Sequence, residues 1–320
     1  MNTRAGSAGE ARSEDGGGAS PSGGSPGPFA FLARPKVVVW LAVAVGAGIG
    51  WIWLAAMVAG MLAATDMTTL GPGMSVFNSL NGFADMPAEV RAALTVLCGP
   101  TDEAWSARDV AAVFAMWVAM VFAMMLPSAA PVLTSFAGLA EEKRRAGEPA
   151  ASPLLIAAGY LTIWIVFAAV ATAGQALLTQ LRVLTPAGTT ASQVLAGTTL
   201  IAAGLYQFSP LKMGCLTRCR FPAPYFAEHW TPRPMAVFRQ GIDQGIDCLG
   251  CCWALMVVMF AVGVMNVIWI AIIGAVMTVE KVTTSLAVPR LVGVVLLLWG
   301  AALVLFSPVG SVLLTRLHIL

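Results

Sequence analysis

Five of the six cysteines fall between Cys215 and Cys252, in two groups. Cys215 and Cys219 are spaced C-x3-C, and Cys248, Cys251 and Cys252 read C-x2-C-C. Residues three or four apart on a helix have Cβ atoms about 5–6 Å apart, so two thiolates at either spacing can close on one metal ion. If the second segment is not helical, Gly250 gives its backbone the freedom to do the same. Clustered cysteines in a reducing compartment point to metal binding or redox chemistry rather than structural disulfides. Four thiolates suit tetrahedral zinc. The methionines shift the expectation towards Cu(I), because thiolate with thioether selects a soft ion. Cys248, Cys252, Met256 and Met259 follow one helix face, and Met116, Met120 and Met124 follow another, with Met125 alongside. Pro127 and Pro131 are expected to break the end of the second stripe, leaving Ser128 and freed carbonyls to line a site.

Each of these residues has a plainer reading. A methionine stripe at helical spacing is commonly packing, and free cysteine commonly serves as a small buried hydrophobe. Cys98 stands alone and reads that way. His229, in "FAEHW", could supply a nitrogen ligand or simply be solvated. Asp247, beside Cys248, could order a cation or take a thiol proton. Asp243, Glu280 and Lys281 fall near expected helix ends, where Lys281 can reach the interface and Glu280 can pair with it.

The elements that must position these sulfurs are membrane helices. Of the 320 residues, 58% are hydrophobic and 11% are charged, and the mean hydropathy is +0.81. Soluble domains carry about 25% charged residues, so the expected fold class is all-α, a polytopic membrane helix bundle. A crossing needs roughly 20 apolar residues. Seven candidate spans meet that need, at about 37–62, 109–132, 154–178, 192–209, 244–263, 265–283 and 287–307. The fifth and sixth are divided at "GVMN" (263–266). Residues 1–35 are expected to form a disordered Gly/Ser/Pro-rich cytoplasmic tail, and 36–320 a single transmembrane domain. A short helix is expected to start at Pro87, and 210–243 reads as a long cytoplasmic loop.

Charge sets the orientation. With the N-terminus in the cytoplasm, 14 of the 18 Lys and Arg residues fall inside, which predicts an extracytoplasmic C-terminus in a bacterial inner membrane. A net charge of +2 without a basic, aromatic-studded face gives no reason to expect nucleic acid. Two histidines make a histidine-rich zinc hydrolase centre a poor fit. No P-loop is present, so no nucleotide partner is expected.

Three stretches in order resemble a known family. They are "MMLPSAAPVL" (124–133), "GLYQFSPLKMGCLTRCR" (204–220) and "GCCWALMVVMFAVGVMNVIWI" (250–270). The chain is similar there to bacterial predicted metal-binding integral membrane proteins, a domain of unknown function sometimes labelled a copper chaperone. The resemblance runs from about Phe114 to Lys281. It implies metal handling, with the family's sulfur positions on Cys215, Cys219, Cys248, Cys251 and Cys252, and Met124, Met125 and Met256 in the same motifs. One departure stands out. Where the family often carries an "RHG" triplet before the last cysteine group, this chain has "GIDQGIDC" (241–248), with Asp243 and Gln244.

The leading expectation is therefore a non-enzymatic membrane protein that binds Cu(I), with zinc as the alternative metal, for delivery or transport. Its expected partners are the lipid bilayer and a copper enzyme or soluble metal carrier. The alternatives are a thiol oxidoreductase using the Cys251–Cys252 pair and a structural subunit of a membrane complex. No Lys, Arg or His closely precedes the cysteine group, which weakens the redox reading.

Overall fold

The computed structural model describes residues 35–62, 66–79, 87, 89, 105–185 and 188–308. The expected tail, the helix from Pro87 and Cys98 lie outside the described residues or almost entirely so. Among the described residues every named element is helical. Helix α1 covers Pro35–Leu62 and is followed by two 3-10 turns, Met67–Leu70 and Met74–Ser79. Helix α2 (Ala107–Met120) runs on through a π turn, Val121–Met125, and a short piece, Leu126–Ser128. Then come α3 (Ala130–Arg145), α4 (Leu154–Gln180), α5 (Gln193–Tyr206) and α6 (Pro210–Arg220). The chain closes with α7 (Ala223–Glu228), α8 (Pro234–Val262), α9 (Val267–Val282) and α10 (Ala287–Leu305).

Local chemistry explains the boundaries. Ser106 and Asp109 form a capping box at the start of α2, each side chain answering the other's backbone N–H. Ser209 caps α6 by accepting from the Lys212 N–H at 3.1 Å, with Pro210 at the first helical position. The division expected at "GVMN" is present. Gly263 has a φ of +105°, a conformation open to glycine, and Asn266 caps α9 through the Trp269 N–H.

Length separates the helices. Among the described residues, five are long and apolar enough to cross a membrane: α1, the α2 segment to Ser128, α4, α8 and α10. The other two expected spans are shorter. The one expected at 192–209 is α5, of 14 residues, which bends by 63° into α6 and counts as a sixth span only if the bent pair is one crossing. The one expected at 265–283 is α9, of 16 residues. The loop expected over 210–243 is instead largely helical, because Ser209, Pro222 and Pro234 punctuate it into α6, α7 and the start of α8. The break expected at Pro127 and Pro131 is also milder than a stop. The Leu126 N–H reaches the Val121 carbonyl in the π turn, so the helix widens just before Pro127 and then resumes.

Two helices lie at the centre. The α2 and α8 segments are each 56% buried over their most apolar stretch, against 22–28% for α1, α4 and α10. Their outer faces are apolar, as at Val45, Ile49, Ile52 and Leu298, which suits lipid rather than water. Glycines bring the backbones close. Gly159 of α4 abuts the Phe238 carbonyl, and Gly241 of α8 abuts the Ile156 carbonyl. Side chains at these positions would hold the helices apart, so the glycines fix α4 against α8. A similar contact joins α5 to α10, where a methyl group at Gly197 would come within 2.7 Å of the Gly300 carbonyl.

Candidate metal centre

Helix α8 carries three of the cysteines in its interior rather than at its mouth. Cys248 lies fourteen residues after Pro234, about 21 Å along the axis. Cys248, Cys251 and Cys252 are each 1% exposed, and their sulfurs all lie within 4.8 Å of one another. The Cys251 and Cys252 sulfurs are 3.2 Å apart, and the Cys251 thiol donates to the Cys248 carbonyl at 3.1 Å. All five described cysteines are free thiols.

Helix α6 brings the other group. Its buried face carries Lys212, Leu216 and Cys219. The Cys219 sulfur lies 4.0 Å from that of Cys251, so the two cysteine groups meet. Cys215, one turn earlier, is only partly buried. Gly250 does not loosen the backbone, because α8 is continuous through it. It makes room instead: a methyl group there would come within 2.6 Å of the Cys215 sulfur.

Three basic residues hold α6 in place. Lys212 Nζ pairs with Glu280 Oε2 at 2.7 Å, both fully buried. Arg218 pairs with Asp247 at 2.8 Å near the surface. The Arg220 guanidinium donates to the carbonyls of Glu280, Thr284 and Ser285, closing the C-terminal end of α9.

The charges correct several expectations. Glu280 pairs with Lys212 rather than with Lys281, its neighbour in sequence. Lys281 does not reach for the interface. It is 3% exposed, and its Nζ donates to Ser128 Oγ at 2.8 Å and to Cys248 Sγ at 2.9 Å. A basic group therefore does stand beside the cysteine cluster, supplied from 33 residues downstream. Asp247 is held by Arg218, which leaves its carboxylate in an ion pair on the outer side of α8.

Tyr160 of α4 completes the surroundings of Cys248. Its hydroxyl donates to the Met125 carbonyl at 3.1 Å and lies 2.8 Å from Cys248 Sγ. Ser128 Oγ donates to that same carbonyl at 2.8 Å. Gly245, one turn before Cys248, lets α4 come near enough: a methyl group there would sit 3.1 Å from the Tyr160 carbonyl.

The methionines occupy the surrounding core. Met116, Met120, Met124, Met125, Met256 and Met259 are all buried. Met124 packs on Gly274 of α9, and Met125 contributes its carbonyl to Tyr160 and Ser128. His229 is exposed, stacked on Tyr225 and within 3.0 Å of its carbonyl. The His229 carbonyl accepts from Gln240, two helical turns before Cys248, which puts the histidine at the far end of α8. Burial and the Asp243 carboxylate push the Tyr225 phenol above its usual range. Asp243 is thereby engaged with Tyr225.

Sequence reasoning missed Tyr160 and the inward turn of Lys281. A lysine inside an apolar segment is a signal in itself, since such groups are costly unless paired. Tyr160 carries no comparable mark.

The arrangement can hold a soft ion. Two sulfurs each about 2.3 Å from one metal are at most about 4.6 Å apart, and the 3.2 Å and 4.0 Å pairs fall inside that reach. Among the described residues, apolar helices long enough to cross a membrane stand together with a buried thiol cluster that could hold a metal ion. Residues 114–303 match the PpoB2 copper chaperone family, and the chain belongs to that family. No curated protein and no solved structure matches it.

Proposed function

We propose that the protein is an integral membrane carrier of Cu(I), which it holds as cargo on Cys219, Cys248, Cys251 and Cys252. One observation carries the reading: four thiols from two helices converge at a single buried point, with the ammonium of Lys281 against one of them. Burying a lysine without a partner costs several kcal/mol, and a thiolate at Cys248 would make the pair neutral. Sulfur donors in a dry site favour a soft ion, and the family is one of copper chaperones. Met124 and Met256, in the core around the cluster, are the thioethers that would assist.

In this reading the five long helices, the bent α5–α6 pair and α9 make seven crossings of a bacterial inner membrane. The N-terminus and α6 lie on the cytoplasmic side and the C-terminus outside, because the Lys and Arg residues cluster at one set of ends. The protein is not an enzyme. Its partners are the bilayer, a soluble copper carrier and a copper enzyme that receives the ion.

The test is metal content. Protein purified in detergent under anaerobic, reducing conditions and loaded with Cu(I) should hold copper, measured by elemental mass spectrometry. The Cys248→Ser/Cys251→Ser/Cys252→Ser variant should hold none. Zinc in place of copper would make this a structural thiolate site. No metal in either protein would end the reading.

A second reading is favoured by the 3.2 Å Cys251–Cys252 and 4.0 Å Cys219–Cys251 separations together with Lys281. A thiol oxidoreductase would use such neighbours, passing two electrons to an oxidised quinone or disulfide. Thiol titration showing reversible loss of two thiols without metal would select it.

A further inference from the structure

The five described cysteines are not equivalent. Four are at most 2% exposed, and Cys215 alone among them reaches the surface. A protein-borne metal ion cannot reach a sealed sulfur directly, since ligand exchange needs donor and acceptor sulfurs to share the ion for a moment. We propose that Cys215 is the loading thiol of the centre: it takes Cu(I) from a thiol-bearing carrier and hands it to Cys219. The inference rests on the copper reading above and deepens it.

The sulfurs form a sequence of short steps. Cys215 and Cys219 are one turn apart on α6, about 5–6 Å at Cβ. Cys219 is 4.0 Å from Cys251, which is 3.2 Å from Cys252. The first step is fitted closely. The Cys215 sulfur rests on α8 at Gly250, the residue before Cys251, where any side chain would displace it. The Tyr206 hydroxyl donates to the Gly250 carbonyl at 2.5 Å, holding that stretch of backbone. Holding α6 does not require Cys215, because Lys212 and Arg220 already tie the helix to α9. Around the mouth stands the Arg218–Asp247 pair, with the Arg218 side chain 69% exposed.

The chemistry balances without an electron donor or acceptor. As the ion arrives, a Cys215–copper bond forms and a carrier–copper bond breaks, and the Cys215 proton passes to the released carrier thiolate. In the next step a Cys219–copper bond forms and the Cys215–copper bond breaks. The proton of Cys219 returns to Cys215. Copper remains Cu(I) throughout.

The test separates rate from capacity. Full-length protein in detergent would be mixed anaerobically with the Cu(I)–glutathione complex, and loading followed by the ultraviolet thiolate-to-copper absorbance. The final copper content would be measured alongside. Cys215→Ser should reach the wild-type content but load at least tenfold more slowly, with an unchanged unfolding midpoint. Cys219→Ser should lose copper to a competing chelator at equilibrium. Loading of Cys215→Ser at the wild-type rate would overturn the proposal. Loss of copper from Cys215→Ser at equilibrium would also overturn it, by making Cys215 a ligand of the centre. If wild-type protein takes up no Cu(I), the copper reading fails first and the loading role falls with it.

Discussion

At Cys248 the sulfur sits between a lysine and a tyrosine that come from different helices, 33 residues downstream and 88 upstream. The cysteine spacing was legible because it is local, and a helix turns C-x2-C-C into a cluster by geometry alone. The two flanking groups were not, because hydrophobic periodicity says which face is buried and nothing about which face it meets. Lys281 looked like an interfacial residue next to an obvious partner, Glu280. Burial reversed that, since each charge found its counterpart on another helix. If Lys281 holds the charge of the thiol cluster, Lys281→Met should weaken Cu(I) binding by about tenfold or more, roughly 1.4 kcal/mol. Chelator competition measures this, and unchanged affinity would reduce Lys281 to a packing role. Both methionine stripes are buried, a position that serves packing and lining equally well.

On the level of elements, α6 depends on its attachments. It is eleven residues long, bends away from α5 by 63° and carries Cys219 to the centre. Its sequence reads as loop because prolines and charges interrupt it, and only Ser209 and Pro210 mark a helix start. Its tightest tie is the buried Lys212–Glu280 pair. Removing one member of such a pair leaves a buried charge alone, at a cost of about 3–5 kcal/mol. Glu280→Gln should therefore lower the unfolding midpoint in detergent markedly. Converting both residues to methionine should recover much of that loss, since the desolvation cost goes with them. A Glu280→Gln protein as stable as wild type would show that the pair contributes nothing to the fold. The long helices, by contrast, were legible throughout, because about 20 apolar residues in succession have few other uses. Their exact lengths were less legible for α5 and α9, which are 14 and 16 residues long, because Gln207 closes the first and Asn266 sets the start of the second.

For the whole molecule, the division of labour follows burial. The α2 and α8 segments form the centre, and α1, α4 and α10 turn broad apolar faces outward. Helix α1 lies outside the family match yet packs closely on the π turn, where a methyl group at Gly50 would come within 2.6 Å of the Ala123 nitrogen. The site is thus backed by a helix that the family motifs do not include. The proposed orientation has a direct test. A phosphatase reporter that works only outside the cytoplasm should be active when fused after Leu305 and silent in the α3–α4 connection. The reverse pattern would invert the topology and put the loading thiol on the other side.

Residues 280 and 281 are neighbours, so they point about 100° apart around α9, one towards α6 and the other towards α8. Both helices carry sulfurs of the centre. The last turn of α9 therefore acts as a two-pronged key whose prongs are fixed relative to each other. Substitutions along α9 change what the key is made of, but adding or removing one residue before Glu280 would turn both prongs out of their locks together. For this helix, the conserved quantity to expect among relatives is the count of residues from Asn266 to Lys281, ahead of their identity.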